Sequence, residues 1–379
     1  MREIDAIVAE YNKLKHAQIS CVLATVVHVQ GSSYRRAGAR MLVDEFGNLT
    51  GAISGGCLEG DALRKALHAM HQQKNKLVTY DTSDENNAVI GAQLGCNGII
   101  KVLFEAIDFE NERNACELLQ TASKTGEKAS ILIEFDLKET NLQPGTVALI
   151  YSEDKIFASA EIEQVILFEA SEVIQKKRSD FLKLERNGNS CMNYIQFYEP
   201  PIKLVLVGAG NDAMILTSQA ELLGWKIIIA DGRPTHANTN RFSSGCQVIV
   251  TRPEDTLEKI EIDERTCFAL MSHNYHYDLA VLQLLLKKTE VPYIGILGPL
   301  KKWERMKDDM DHAGIEVSSF DDDRIHAPIG LELGAETPAE IGLSILAEIQ
   351  AKLTNSSAKS LKFKNAPIHE RRTSEIPSI

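Results

Sequence analysis

Apolar positions recur at helical spacing over residues 3–17, with Ile4, Ile7, Val8, Tyr11 and Leu14 on one face. Residues 19–29 form an apolar, β-branched run that predicts a strand. Met41–Val43 and Leu49–Ile53 flank Asp44-Glu45-Phe46-Gly47-Asn48, the pattern of a hairpin. The spacing then predicts a helix over 58–73, strands at 76–80 and 99–107, a helix at 110–124, and strands at 128–136 and 146–151. Residues 161–185 read as one helix, and Arg186-Asn187-Gly188-Asn189-Ser190 as a turn. Tyr194–Tyr198 reads as a short strand, and Pro200-Pro201 as a stiff junction. This is an α+β pattern with mixed strand connections, and no internal repeat stands out.

From Lys203 the period changes. Short apolar strands at 203–207, 226–230, 247–250, 266–271 and 292–296 alternate with helices at 212–223, 254–259, 276–288 and 299–312. That alternation predicts a doubly wound parallel sheet. Thr337-Pro338-Ala339-Glu340 opens a last helix with a capping box and proline at its first position. The expected architecture is α/β: an N-terminal α+β domain over 1–195, a Rossmann-like domain over 200–352, and a polar, basic tail over 355–379 that is mobile unless a partner orders it.

Composition narrows the function classes. The chain has 379 residues, 44% of them apolar and 25% charged, with a net charge of −12. That charge argues against a general nucleic-acid binder. No apolar stretch approaches the ~20 residues that span a bilayer. The start, Met1-Arg2-Glu3-Ile4-Asp5, lacks the basic-then-apolar order of a signal peptide. A cytoplasmic protein without membrane contact is expected. The seven cysteines (21, 57, 96, 116, 191, 246 and 267) include no CxxC pair, so neither a zinc site nor a disulfide framework is indicated. Cys21 and Cys267 sit in strand-like runs and read as core.

Candidate chemistry gathers in three places. The first is Ser54-Gly55-Gly56-Cys57-Leu58-Glu59-Gly60, preceded by a small-residue loop, Gly31-Ser32-Ser33-Tyr34-Arg35-Arg36. Paired glycines let a ligand approach the backbone. A cysteine at a helix start meets free N–H groups and partial positive charge, which favour the thiolate. Such a loop suits a soft metal or a transferred sulfur beside an anionic group; a tight turn with a packed cysteine is the plainer alternative. The second place is Gly208-Ala209-Gly210-Asn211-Asp212-Ala213, a G-x-G-x-x-A loop between strand and helix, with Asp231 ending the next strand. Gly208 permits the turn, Gly210 admits a diphosphate, and Asp231 suits ribose hydroxyls. Asp212 opposes a diphosphate there, and a Rossmann domain without a nicotinamide cofactor is equally consistent. The third is Ser272-His273-Asn274-Tyr275-His276-Tyr277-Asp278, at a strand's carboxyl end. His273, His276 and Asp278 are possible metal or proton-transfer groups, and Ser272 or Asn274 is equally a helix cap.

Several of these runs, in order, resemble the xanthine dehydrogenase accessory protein (XdhC/CoxI) family. They are Gly31-Ser32-Ser33-Tyr34-Arg35, Ser54–Glu59, Leu94-Gly95-Cys96-Asn97-Gly98, Gly208-Ala209-Gly210, Asp231-Gly232-Arg233, Ser272–Asp278, Ile294–Gly298, Pro328–Gly334 and Thr337–Ile341. The resemblance implies a maturation factor that binds molybdenum cofactor as cargo, aids its sulfuration with a cysteine desulfurase and delivers it to an apo-xanthine dehydrogenase-type enzyme. Carried over, Cys57 and Cys96 become contacts to molybdenum or transferred sulfur. Ser32, Ser33, Arg35, Gly55 and Gly56 become a cradle for the cofactor's phosphate, and Glu59 a ligand-orienting group, a base or a helix-start charge. Gly208, Gly210, Asp231 and His273 complete the binding set. A homodimer is expected on the same ground. Tyr34 stands where the family usually has proline, Asn97 where it has glycine, and Asn211 where histidine is frequent. Two other readings compete: an NAD(P)-dependent oxidoreductase using the Gly208–Asp231 site, and a redox-responsive binder pairing Cys57 with Cys96.

Overall fold

The structure, a computed structural model, describes residues 2–31, 34–81, 98–139, 142–186 and 189–365. The chain divides into two compact units, one over Glu3–Pro200 and one from Pro201 onward.

The first unit opens with α1 (Arg2–Ala17), whose first turn carries Glu3 and Asp5 and whose last carries Lys15 and His16, charges that complement the helix dipole. Its apolar stripe, Ile7, Tyr11 and Leu14, is buried. There follow β1 (Cys21–Gly31), β2 (Arg40–Asp44), β3 (Leu49–Gly51), α2 (Glu59–Gln72), β4 (Lys76–Asp81) and β5 (Gly98–Ala106). They form a five-stranded sheet in the order β3-β2-β1-β5-β4. Strand alternation sends Cys21, Leu23 and Val27 to one face and Val22, Ala24 and Val26 to the other. The second face packs on α2 through Ala62, Ala66 and Ala69, whose small side chains let helix and sheet approach.

The same order of elements then recurs: α3 (Ala115–Thr125), β6 (Ala129–Asp136), β7 (Gly145–Ser152), β8 (Lys155–Ala158), α4 (Gln164–Lys176), β9 (Asp180–Arg186) and β10 (Asn189–Tyr198). Its sheet runs β8-β7-β6-β10-β9, the order of the first sheet again, with α4 on its outer face. The inner faces of both sheets join α1 and α3 in one core that includes Leu23, Leu103, Leu119, Ile131 and Phe135.

The two copies agree in detail. Each second helix ends on a left-handed residue at φ 51°, Gln73 and Lys177. Two residues on, Asn75 Oδ1 accepts from Ala106 N at 3.1 Å, and Ser179 Oγ accepts from Phe197 N at 3.0 Å. Gly38 (φ 93°) backs onto Gln196, where a Cβ would come within 2.4 Å of its amide; Gly145 (φ 99°) backs onto Glu105, at 2.6 Å. Each of those side chains is then held from the opposite sheet. Arg40 Nη2 donates to Gln196 Oε1 at 2.7 Å, and Thr146 N donates to Glu105 Oε1 at 2.6 Å.

The second unit has the predicted doubly wound form. Strands β11 (Lys203–Val207), β12 (Lys226–Asp231), β13 (Cys246–Val250), β14 (Thr266–Leu270), β15 (Tyr293–Ile296) and β16 (Ile325–His326) make a parallel sheet ordered β13-β12-β11-β14-β15-β16. Helices α5 (Asn211–Leu222) and α9 (Pro338–Leu353) cover one face, and α6 (Tyr275–Leu285) and α7 (Leu300–His312) the other. A short α8 (Ser319–Arg324) precedes β16. The capping box at Thr337 and Glu340 forms as expected.

Three expectations need correction. The predicted helix over 161–185 ends at Lys176, and Phe181, Leu182 and Leu184 belong to β9; their alternation is hidden in a run that also fits helical spacing. Residues 254–259 contain only a 3₁₀ turn, Leu257–Lys259. The predicted strand over Tyr194–Tyr198 begins earlier, at Asn189. The short elements β8, α8 and β16 carry no period long enough to read.

Burial pushes the Glu105 carboxyl up, against the Thr146 N–H and hydroxyl and the Arg40 charge, which favour its ionised form. A carboxyl raised in the folded state makes stability fall as pH rises upward from the ordinary glutamate range near ~4.3. Glu105→Gln, which copies Gln196 of the other half, is expected to flatten that part of the stability–pH profile in urea titrations compared with wild type.

Candidate functional site

Three connections leave the same end of the first sheet. Gly31 of β1 lies opposite Gly98 of β5, Asp81 of β4 lies opposite Ile99, and Gly51 of β3 lies opposite Met41. The Gly31–Arg36 loop, the Ala52–Leu58 bend and the chain that carries Cys96 therefore all start from one edge. Ser32, Ser33, Cys96 and Asn97 lie outside the described residues.

Glu3, in the first turn of α1, ties the first two connections together. Its Oε1 accepts from Arg40 N at 3.2 Å and Ala52 N at 3.4 Å, and its Oε2 takes Arg35 Nη2. Arg35 is thus committed to a carboxylate, with its buried Nε left without a partner among the described residues. The exposed Tyr34 ring lies on Gly55, where a Cβ would come within 3.2 Å of the ring.

The bend itself is organised by Ser54, which is buried. Its Oγ accepts from the N–H groups of Gly56 (3.2 Å), Cys57 (3.1 Å) and Leu58 (3.1 Å) and donates to Glu59 Oε2. Glu59 also accepts from Ser54 N at 2.9 Å and Leu58 N at 3.2 Å. Helix α2 begins at Glu59, so Cys57 lies two residues before its first residue. These N–H groups point inward to Ser54 and Glu59, so the part of the anion cradle expected at Gly56 requires Ser54 to move. Gly56 (φ 108°) has no described residue within 4 Å of an added Cβ. Cys57 is half-buried, forms no disulfide, and packs against the apolar cluster between the first sheet and α2.

In the second unit, Gly208 (φ 123°) packs on backbone: a Cβ would lie 2.5 Å from Met271 O and Ser272 Cα. His273, itself left-handed at φ 57°, lies over Gly210, with its Nε2 at 4.0 Å from Asp212 Oδ2. Asp231 is buried and internally engaged. It accepts from Ala209 N (2.8 Å), Arg233 N (2.9 Å), Arg233 Nε (3.0 Å) and Arg233 Nη2 (2.7 Å). Burial would raise its carboxyl, but these donors outweigh it and hold it below the usual carboxylate range. A ribose at Asp231 would have to displace Arg233. Arg241 spans the glycine loop, donating to Ala209 O at 2.7 Å and Asn211 Oδ1 at 2.9 Å.

The metal reading of the third cluster fails for Asp278, which is fully buried between Ser272 Oγ (2.6 Å) and Lys302 Nζ (2.7 Å). Asn274 caps α6, accepting from His276 N and Tyr277 N. Among the described residues no group of three or more His, Cys, Asp or Glu side chains is placed to hold a metal ion. No described helix is long and apolar enough to cross a membrane. Sequence reasoning missed Glu3, Ser54 and Arg241 as organisers. The one available signal was Ser54 five residues ahead of Glu59, a serine–acid pair around a helix start.

Fold and site together define a Rossmann-type protein joined to a duplicated α+β unit that bears a free thiol on a glycine bend. The chain belongs to the XdhC and CoxI family: that family's model matches residues 14–81, and the XdhC Rossmann domain matches residues 204–349. It is similar to a protein of Bacillus subtilis named as a probable xanthine dehydrogenase component, 29% identical over 88% of this chain and 93% of that protein. It is also similar to the molybdenum cofactor insertion chaperone PaoD of Escherichia coli, 22% identical over 86% of this chain and 82% of that one. A crystal structure titled as a xanthine dehydrogenase from Bacillus halodurans superposes with a TM-score of 0.73, at 28% identity, over 94% of this chain and 98% of the other.

Two substitutions test these roles. Gly208→Ala is expected to cost roughly 2 kcal/mol or more by forcing a side chain into a left-handed position against backbone, while Gly210→Ala, at φ −68°, costs under about 1 kcal/mol; chemical denaturation of both variants checks this. Ser54→Ala is expected to cost about 1–2 kcal/mol, because three N–H groups lose one acceptor, and to change the rate at which Cys57 is alkylated.

Proposed function

We propose that this protein is an accessory factor in the maturation of xanthine dehydrogenase-type molybdenum enzymes. It binds molybdenum cofactor, aids its sulfuration by a cysteine desulfurase and passes it to the apoenzyme, acting as a cytoplasmic homodimer. The observation that carries the reading is the Cys57 bend. Ser54 and Glu59 satisfy its backbone, and the half-buried Cys57, in no disulfide, follows Gly56, beside which no described residue stands. Thiolates suit a thiophilic metal centre. The names of the Bacillus subtilis and Escherichia coli relatives point the same way.

In this reading Cys57 and Cys96 meet the molybdenum or its incoming sulfur, and Ser32, Ser33, Gly55 and Gly56 lie along the cofactor's path. Arg35, held by Glu3, shapes the loop and meets the phosphate only if that pair opens. The Rossmann residues Gly208, Gly210 and Asp231 then serve mainly as scaffold, with His273 the exposed side chain at that loop. The oxidoreductase alternative is disfavoured by the Arg233 clamp on Asp231.

Anaerobic incubation with molybdenum cofactor, followed by gel filtration and metal analysis, is expected to give a stoichiometric complex. Cys57→Ala should lower the retained molybdenum about tenfold or more, the loss of one direct ligand contact. If Cys57→Ala and Cys96→Ala both retain it as wild type does, the thiols are not the anchor. Micromolar binding of NAD or NADP by calorimetry would favour the oxidoreductase instead.

A further inference from the structure

The duplication of the first unit makes its two outer helices comparable position by position. Ala62, Ala66 and Ala69, buried in α2, match Ile166, Ala170 and Val173, buried in α4. Gln73 matches Lys177, the left-handed residue after each helix. On that alignment the outward faces differ in kind. In α2 one turn carries Asp61 and Arg64, an ion pair at 2.9 Å, and the next carries Lys65 and His68. In α4 the same positions hold Val165 and Phe168, then Glu169 and Glu172. Val165 is 45% exposed and Phe168 61%. Spaced three apart, the two make one apolar ridge, with Glu169 and Glu172 each one turn further along. A lone exposed apolar residue is ordinary. Here the first half shows the same scaffold closing with a polar pair in these positions, so neither the core nor the helix requires them to be apolar.

We propose that the outward face of α4 is a docking surface for a basic amphipathic helix of a partner protein. The charges select this occupant. A second copy seated on the same face about a two-fold axis would set Glu169 and Glu172 against their own equivalents, and like charges brought together oppose that contact. A basic partner meets them with the opposite sign. Glu172 already holds Lys176 of its own helix at 2.6 Å, an exposed pair that a partner's cation can join. The other cations of this segment, Lys177 and Arg178, lie more than two turns beyond Phe168, away from the ridge. A ridge of side chains on a helix packs into the groove between those of another helix. The partner therefore offers apolar side chains to Val165 and Phe168, with lysine or arginine at the margin facing Glu169 and Glu172.

The test titrates the full chain into a labelled leucine–lysine peptide that forms an amphipathic helix, read by fluorescence anisotropy, with a leucine–glutamate peptide of the same pattern in parallel. Wild type is expected to bind the lysine peptide in preference to the glutamate one. Val165→Asp combined with Phe168→Arg, which copies Asp61 and Arg64 of the first half, should weaken that binding by about tenfold or more. Glu169→Lys should weaken it at low salt and much less at high salt. Arg64→Ala, on the outward face of α2, should leave it as in wild type. Unchanged midpoints in urea show that the variants fold. No binding of the lysine peptide by wild type, equal binding by the double variant, preference for the glutamate peptide, or equal weakening by Arg64→Ala overturns the proposal. So does a smaller assembly for the double variant than for wild type in gel filtration, which gives the face to a second copy.

Discussion

The first unit depends on one constraint: both of its sheets are covered on both faces. Each inner face meets the other sheet and helices α1 and α3, and each outer face meets a helix, α2 or α4. Burial of this apolar area is the main favourable term, and it leaves the faces no room for a site. Polar groups that remain inside must be paired across the sheets, as Arg40 is with Gln196 and Thr146 with Glu105. Chemistry is left to the strand ends and to the junctions where pairing is incomplete.

The duplication shows which parts are scaffold and which are additions. In the first copy β4 and β5 are joined through residues 82–97, whereas β9 and β10 are joined through residues 187–188. The β3–α2 connection holds the glycine–cysteine bend, and the β8–α4 connection has no counterpart of it. Both cysteines singled out for chemistry therefore sit in connections that differ between the two copies. That is where loop-borne function is generally found.

Much of the architecture was legible in the sequence, because long elements with one clear period leave little choice. The strand from Cys21, the α2 helix, the β11–α5 glycine loop and the Thr337 cap are examples. The duplication was not legible. It is a repeat of topology carried by different side chains: alanines line the buried face of α2, while Ile166 and Leu167 share that role in α4. The Gly56–Cys57 bend was visible as a motif, but not the direction of its N–H groups. That depends on a serine whose pairing with Glu59 is a matter of geometry. Asp231 was equally visible as an acid at a strand end, while its clamp by Arg233 required the guanidinium to fold back two residues along the chain.

Ser54 has one more implication. Among the described residues, the donors and acceptors of the Ser54–Glu59 turn are backbone N–H groups, the serine hydroxyl and the Glu59 carboxylate, and the sulfur of Cys57 is none of them. A change at the sulfur accordingly breaks no hydrogen bond of the turn.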